Sequence, residues 1–474
     1  MTPVDVASAR AFRRHAIRTL AAALTLAAIA LPARATEPGK PSATAAPTEA
    51  VPDLLVDLVL GASDDPARDL AALDAGWHPG MVPMAMEILR FARDPTLREG
   101  LVELLEDNTG ESHGADIDRW YRWLWSRPEQ RHPHYARFKS TLYGNIDPLF
   151  AGYFDDARDT TIRLDEARWG GVAQDGIPPL REPAMIGADE AAYLGDDDVV
   201  FGIEIDGDTR AYPKRILAWH EMFVDTVGGT EVAGVYCTLC GAVILYETEH
   251  DGIRHELGTS GFLYRSNKLM YDRATQSLWS TTLGEPVVGP LVGRGIALER
   301  GFVVTTTWGE WRRRHPDTLV LSLDTGHRRD YGEGVAYRDY FATDELMFSV
   351  PELDDRLPNK AEILALQFPD EDERRTAISA DFLAERPVFH HEVGSQRVVV
   401  LTDPTGANRV YDPRGLTFVD YDGDRTVTDA EGGRWTLEEA ALKHADGRRL
   451  ERLPAHRAFW FGWRAVHEDT ELVM

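Results

Sequence analysis

The strongest constraint on the fold of this chain is an internal repeat in its C-terminal part. At an offset of 165 residues (406 minus 241), two pairs recur: Gly241-Ala242 and Tyr246-Glu247 match Gly406-Ala407 and Tyr411-Asp412. At an offset of 152 (460 minus 308), one longer motif recurs: Trp308-x-x-Trp311 with His315-x-Asp317-Thr318 matches Trp460-x-x-Trp463 with His467-x-Asp469-Thr470. The smaller offset indicates a net deletion in an intervening loop. We therefore predict that residues 170–350 and 351–474 are two copies of one β-rich unit, packed as a pseudo-dimer.

The two copies differ in their cysteines. Both cysteines of the chain, Cys237 and Cys240, lie in the first copy. At the 165-residue offset they fall on Thr402 and Thr405, which are neither redox-active nor soft metal ligands. We therefore expect the first copy to carry the chemistry and the second, thiol-less copy to supply structure. Because the tryptophan and His-x-Asp-Thr motif recurs in the copy without thiols, we interpret it as a determinant of the fold.

The cysteines are predicted to lie in the turn of a β-hairpin. The flanking segments 232–236 and 242–246 are rich in β-branched and aromatic residues and are short, as is typical of strands. Gly241 would let the backbone turn without a clash at Cβ. Such a turn is more similar to a metal knuckle than to a thioredoxin-type pair, which opens a helix whose N-terminus lowers the thiol pKa.

The N-terminal part predicts export followed by a helical domain. Residues 1–35 combine arginines, an uncharged run and an Ala-x-Ala sequence, which is typical of a cleaved signal peptide, with the Sec and twin-arginine routes both open. Residues 36–52, rich in Pro, Ala, Thr and Glu, predict a linker. We thus expect a periplasmic or extracellular protein with no membrane span after signal cleavage. Residues 53–155 have apolar residues at helical spacing, so the predicted class is α+β, an all-helical domain before the duplicated β-rich unit.

The overall charge limits the partners. A net charge of −27 argues against binding to nucleic acid and to anionic membrane surfaces. The partner expected from an exported thiol pair is an exported redox or metal-handling protein.

Three hypotheses for the cysteine pair stay open. In the first, one thiolate attacks a disulfide or peroxide and the second cysteine resolves the product, with the positive charge of His220 or Arg265 lowering the thiol pKa. In the second, the pair is a soft-metal site for copper or zinc. The ligands of that site would be Cys237, Cys240 and His220, with His255 or Met270 as the fourth. In the third, the protein is a non-enzymatic scaffold with an inert disulfide.

The segments after the hairpin are dense in glycine, serine and asparagine, which favours loops around a site over core. The residues expected to line the site are Trp219, Ser260, Tyr264, Arg265, Asn267, Tyr271, Asp272, Arg273 and Trp279.

Several ordered motifs of residues 170–474 resemble the DUF3179 family, a family of unknown function whose members are usually exported. The motifs are Asp175-Gly176-Ile177-Pro178, Arg210-Ala211-Tyr212-Pro213, Trp219-His220-Glu221, Cys237-Thr238-Leu239-Cys240-Gly241, Gly261-x-Leu263-Tyr264-x-Ser266-Asn267, Met270-Tyr271-Asp272-Arg273 and Ser277-Leu278-Trp279-Ser280. Some members look like selenoproteins with selenocysteine in the cysteine motif, which implies redox chemistry at Cys237 or Cys240. This chain departs from the pattern in having cysteine at both places, and Thr238 where proline is common.

Overall fold

The computed structural model describes residues 44–368 and 374–474. The predicted signal peptide and the first part of the predicted linker, residues 36–43, lie outside the described residues. Of the helices in the described part of the chain, none combines the length and the hydrophobicity that crossing a bilayer requires.

Helices occupy the N-terminal part of the described chain. Their bounds are α1 (Val51–Leu60), α2 (Pro66–Ala75), α3 (Val82–Phe91), α4 (Pro95–Thr109), α5 (Ile117–Trp125) and α6 (Tyr135–Gly144). The starts of several helices follow from the local sequence, since Asp65, Asp94 and Asp116 each accept a hydrogen bond from the backbone N–H three residues later. The predicted N-terminal helical region is confirmed.

Strands dominate the remainder, as predicted. In residues 156–350 the elements are β1 (Ala167–Trp169), β2 (Leu180–Arg181), β3 (Met185–Gly187), β4 (Val199–Ile205), β5 (Asp208–Pro213), α7 (Lys214–His220), β6 (Met222–Val227), β7 (Thr230–Cys237), β8 (Ala242–Glu247), β9 (Glu249–His250), β10 (Ile253–Arg254), β11 (Leu257–Tyr264), β12 (Asn267–Asp272), β13 (Leu278–Ser280), β14 (Glu285–Val288), β15 (Val304–Thr307), α8 (Trp308–Arg314), β16 (Leu319–Leu321) and α9 (Arg338–Phe341). In residues 351–474 they are β17 (Glu362–Gln367), β18 (Arg375–Ser379), α10 (Ala380–Ala384), β19 (Val388–Val393), β20 (Gln396–Thr402), β21 (Asn408–Tyr411), β22 (Phe418–Tyr421), β23 (Thr426–Asp429), β24 (Arg434–Leu437), β25 (Ala441–His444), β26 (Arg449–Glu451), β27 (Ala455–Phe459), α11 (Trp460–Val466) and β28 (Glu471–Val473).

Two sheets of the β-rich region have the same strand order. One contains β15-β4-β5-β16, with β3 added at its edge, and the other is β27-β17-β18-β28. In each, the first three strands are antiparallel and the fourth runs parallel to the third. A short helix follows the third strand in each, α7 and α10, and a three-stranded array comes next, β6-β7-β8 and β19-β20-β21. The segments after these arrays differ: β9 to β14 in the first, β22 to β26 in the second.

The repeated tryptophan and threonine have a structural role in both sheets. Trp311 Nε1 donates a hydrogen bond to Thr318 Oγ1 at 3.0 Å, and Trp463 Nε1 donates to Thr470 Oγ1 at 2.8 Å. Each threonine hydroxyl then donates to a carbonyl of the neighbouring strand. These contacts join a helix to its own sheet, which agrees with the interpretation of the motif as a fold determinant.

We call residues 170–350 and 351–474, whose strand orders match, the first and the second copy, and strand register revises their alignment at the cysteine turn. Strands β7 and β20 are equivalent, and they begin at Thr230 and Gln396. Each of these two residues belongs to the paired residues next to its hairpin turn, and they are 166 residues apart (396 minus 230). At that offset Cys237 corresponds to Asp403, not to Thr402. The offset returns to 165 beyond the turn, because the turn of the second copy is one residue shorter.

The N-terminal helices share a hydrophobic core with the sheet β1-β11-β12-β13-β14. Phe262, Leu269, Tyr271 and Leu278 of that sheet pack in one cluster with residues of α1 to α6. Strand β12 is therefore covered by the helices, and this strand carries Lys268 to the cysteine turn.

Replacing either repeated threonine by valine is expected to destabilise the fold. Thr318→Val and Thr470→Val would each leave a buried indole N–H without its acceptor, at a cost of about 1–3 kcal/mol. Denaturant unfolding measures this loss. The control is Thr436→Val on the exposed face of β24, where a change within about 0.5 kcal/mol is expected. Equal effects at all three positions would contradict the structural role.

Candidate functional site

The cysteine turn lies where predicted but is sealed from solvent. Cys237 ends strand β7, Cys240 lies in the turn before β8, and the two strands pair in antiparallel register. Both side chains are free thiols, and each residue is 1% exposed. The expectation of open polar loops around the pair is wrong, because the second copy packs over the turn.

Two glycines allow this close packing. The backbone N–H of Phe459 donates to the carbonyl of Cys240 at 2.7 Å. Gly241 has a φ of +62°, and a Cβ there would lie 2.8 Å from the Phe459 ring. A Cβ on Gly462 would lie 2.5 Å from the Cβ of Cys240. Any larger residue at these positions would push the second copy away from the turn.

A buried ion pair lies beside the thiols. Lys268 Nζ is 3.3 Å from Glu221 Oε2 and donates to the Glu221 carbonyl at 3.2 Å. The other carboxylate oxygen of Glu221 accepts hydrogen bonds from Thr238 Oγ1 at 2.6 Å and from Tyr337 OH at 3.1 Å. Burial lowers the pKa of Lys268, and the charge of Glu221 opposes this shift. The two charges thus compensate each other in a site that excludes water.

The surroundings shift the pKa values of the two thiols in opposite directions. Burial acts to raise the pKa of Cys237, but a hydrogen bond from Cys240 and the backbone N–H groups of Lys268 and Cys240 outweigh it and lower that pKa. The pKa of Cys240 is raised well above its ordinary value, first by burial and then by its hydrogen bond to Cys237. Cys237 is therefore the more acidic thiol of the pair, and Cys240 the less acidic one.

The equivalent turn of the second copy holds a carboxylate. Asp403 Oδ1 accepts hydrogen bonds from the backbone N–H groups of Thr405 at 2.9 Å and Ala407 at 3.1 Å. It also accepts from the Thr405 hydroxyl at 2.6 Å, and Oδ2 accepts from Arg409 at 3.2 Å. The backbone of this turn is thus shaped to surround an anion, as nests of N–H groups do.

His220 is not at the thiols. Its Nδ1 lies 2.9 Å from the carbonyl of Pro178 and its Nε2 lies 2.7 Å from Tyr331 OH. Burial lowers its pKa to about 4, so the ring is neutral at pH 7. The predicted role of His220, as a metal ligand or as a positive charge, is therefore wrong. The next residue faces the site instead, because Glu221 leaves helix α7 in a left-handed conformation with a φ of +57°.

The remaining proposed ligands and the proposed cation also lie elsewhere. His255 Nδ1 is 3.3 Å from Asp272, and Met270 is buried in an apolar cluster with Trp279. Arg265 pairs with Glu166 at 2.6 Å and also with Glu468. Within residues 44–368 and 374–474, no three side chains of His, Cys, Asp or Glu are grouped so that they could hold a metal ion. The predicted four-ligand set is not assembled.

Of the predicted lining residues, Asn267 reaches the site, where its Nδ2 donates to the carbonyl of Gly462 at 2.9 Å. The others make their contacts elsewhere: Trp219 with the Asp330 carbonyl, Ser260 with the Leu269 carbonyl, Tyr264 with Arg265 and Glu166, Tyr271 and Arg273 with Asp175, Asp272 with Thr275, and Trp279 with His255.

Sequence reasoning missed four residues of the site. Glu221 and Lys268 lie next to residues that it singled out. Tyr337 and Tyr340 come from the segment around α9, and Tyr340 OH donates to the carbonyl of Leu239 at 2.6 Å. The sequence has no motif or periodicity that would have placed this segment over the turn.

The comparisons with known proteins give one match. The family model DUF3179, described as a protein of unknown function, matches residues 174–470. No curated protein and no solved structure matches the chain.

Removing the positive partner of the ion pair and removing the negative partner are expected to move the pKa of Cys237 in opposite directions. Lys268→Met would leave Glu221 uncompensated and raise this pKa by about one pH unit or more, so that less thiolate is present at pH 7. Glu221→Gln would lower it, since the carboxylate acts to raise it. Thiolate absorbance as a function of pH measures both. Lys443→Met is the control. Shifts of the same sign in both variants would indicate a packing effect alone.

Proposed function

The chain belongs to the DUF3179 family of proteins of unknown function, and we propose that its first copy is a dithiol redox site at which Cys237 reacts with small peroxides. The observation that carries this proposal is the carboxylate of Asp403 in the second copy. A turn whose N–H groups surround a carboxylate in one copy is suited to stabilising a thiolate in the other. The thiolate is the nucleophilic form of cysteine.

The proposed reaction has two steps. The Cys237 thiolate attacks one oxygen of the peroxide, so that an S–O bond forms, the O–O bond breaks, and the leaving oxygen takes up a proton. Cys240 then attacks the sulfenic sulfur, which forms the disulfide and releases water. In sum, two thiols and one hydroperoxide give one disulfide, one alcohol or water, and one water. Two electrons and two protons from an external thiol reductant restore the pair.

The burial of the site favours a small oxidant. Each cysteine is 1% exposed, so a protein disulfide could not reach Cys237 without displacing the second copy. Peroxide needs far less space. Lys268, which lies beside Glu221 and donates its backbone N–H to Cys237, supplies a positive charge close to the thiols that would stabilise the charge developing on the leaving oxygen.

We further propose that the β-rich region arose by duplication and packs as a pseudo-dimer. Matching strand orders support this proposal, and so do reciprocal contacts, since β27 packs on β8 and β15 packs on β21. Such an exchange of equivalent contacts is the signature of a two-fold interface.

We also propose, from residues 1–35, that the protein is exported to an oxidising compartment. The dithiol would meet oxidants there.

Peroxide is expected to oxidise both thiols of the folded chain. The free-thiol count should fall from two to zero, with peroxide consumed in proportion. Cys237→Ser should abolish consumption. Cys240→Ser should stop the reaction at a sulfenic acid that dimedone traps, because no resolving thiol remains.

The matched control is Cys237→Asp, which introduces the carboxylate of the second copy. It should fold with a melting temperature close to that of the parent and consume no peroxide. Peroxide consumption that persists in Cys237→Ser, or folded thiols that do not react with peroxide, would contradict the proposal.

A further inference from the structure

A cleft between the two copies adjoins the cysteine turn. It consists of two pockets of about 140 and 340 Å³ that share Lys214, Glu362 and Phe459. The larger pocket also contains Lys360, and Ala218, Ala336 and Phe341 contribute apolar wall. We call the two pockets together the lysine cleft. Its larger pocket has the size and mixed polarity of small-molecule sites.

The cations of the cleft are unusual for this chain. Lysine is rare, since six of the 51 basic residues are lysines, and two of those six, Lys214 and Lys360, line the cleft. The carboxylates of the cleft are both paired with arginines: Glu333 with Arg215 at 3.1 Å and Glu362 with Arg457 at 2.9 Å. Each acid of the cleft thus has an arginine partner, and Arg215 also pairs with Asp198 at 2.6 Å.

Neither lysine has a carboxylate partner. Among the described residues, Lys214 makes no hydrogen bond or ion pair, and its ammonium lies 5.1 Å from the centre of the Phe341 ring. Lys360 Nζ donates to the carbonyls of Tyr340 and Thr343, which leaves one N–H of the three. The charges of Asp344 and Glu345 act on Lys360, whereas Lys214 has no carboxylate partner among the described residues. In a chain of net charge −27, the ammonium group of Lys214 therefore makes the cleft a place that attracts anions.

We propose that the lysine cleft binds a small organic anion, whose carboxylate pairs with Lys214 and whose apolar part packs against Phe341 and Phe459. This names the substrate class of the thiol site and so rests on the proposed function: a hydroperoxide that carries a carboxylate. The charged group selects the ligand, and the aromatic walls bury the remainder.

One layer of residues separates the cleft from the thiols. Phe459 forms a wall of the cleft, and its backbone N–H holds the carbonyl of Cys240. Gly241, the residue after Cys240, lines the smaller pocket. On the other side, Phe341 lines the cleft and its neighbour Tyr340 bonds to the turn. A ligand in the cleft therefore contacts the residues that cover the sulfurs.

Octanoate, which has the carboxylate and the apolar chain but no peroxide, tests the binding site alone. Calorimetric titration of the full chain should detect binding, and Lys214→Gln should weaken it about tenfold, the loss expected for one charge-assisted hydrogen bond. Lys443→Gln removes the same charge at the surface and should leave binding unchanged. Octanol lacks the charge, so its affinity for the parent chain should be no higher than the affinity of octanoate for Lys214→Gln.

A second arm separates this inference from the redox proposal. Cys237→Ser should bind octanoate as the parent does, and octanoate should slow the oxidation of the parent by a carboxylate-bearing hydroperoxide. If peroxide oxidises the thiols but octanoate does not bind, or binds Lys214→Gln equally well, the anion site is overturned and the redox site stands. If octanoate binds as expected but the thiols ignore peroxide, the redox function is overturned and the anion site stands.

Discussion

The constraint on which the site depends is that a tight turn between two strands must be able to hold a negative charge away from water. Removing an anion from water is costly unless hydrogen bonds and an opposite charge replace the solvent. At the turn of the second copy, two backbone N–H groups, a hydroxyl and Arg409 do so for Asp403. At the turn of the first copy, backbone N–H groups and the thiol of Cys240 surround Cys237, and the Lys268 ammonium lies close by.

This compensation draws on distant parts of the chain. Glu221 comes from the end of α7, Lys268 from strand β12, and Tyr337 from the segment before α9. The N-terminal helices cover one face of the sheet that contains β12, and the second copy covers the turn. The cysteine environment is therefore a product of the whole described chain, although the hairpin itself is local.

Local patterns were enough to predict the elements of the fold. The helical spacing of apolar residues predicted the N-terminal helices, β-branched runs predicted the hairpin, and recurring motifs pointed to the two matching sheets. The site residues could not be predicted in this way. Whether His220 or Glu221 faces the thiols depends on one left-handed residue at the end of α7. The match of Cys237 to Asp403 was hidden by a one-residue deletion inside the turn, which a constant offset cannot detect. Lys268 pairs with Leu263 at the end of a register shift that begins after Thr259. The face of the sheet to which its side chain points therefore does not follow from the simple alternation of side chains along a strand.

The contact between Gly462 and Cys240 has a consequence for how the protein could change over evolutionary time. The half of the β-rich region that lacks cysteine covers both cysteines of the other half. A shortened descendant ending before residue 351 would keep both thiols but expose them to every scavenger and metal in its surroundings. Selection for a protected pair would then preserve the second half for the cover that it provides.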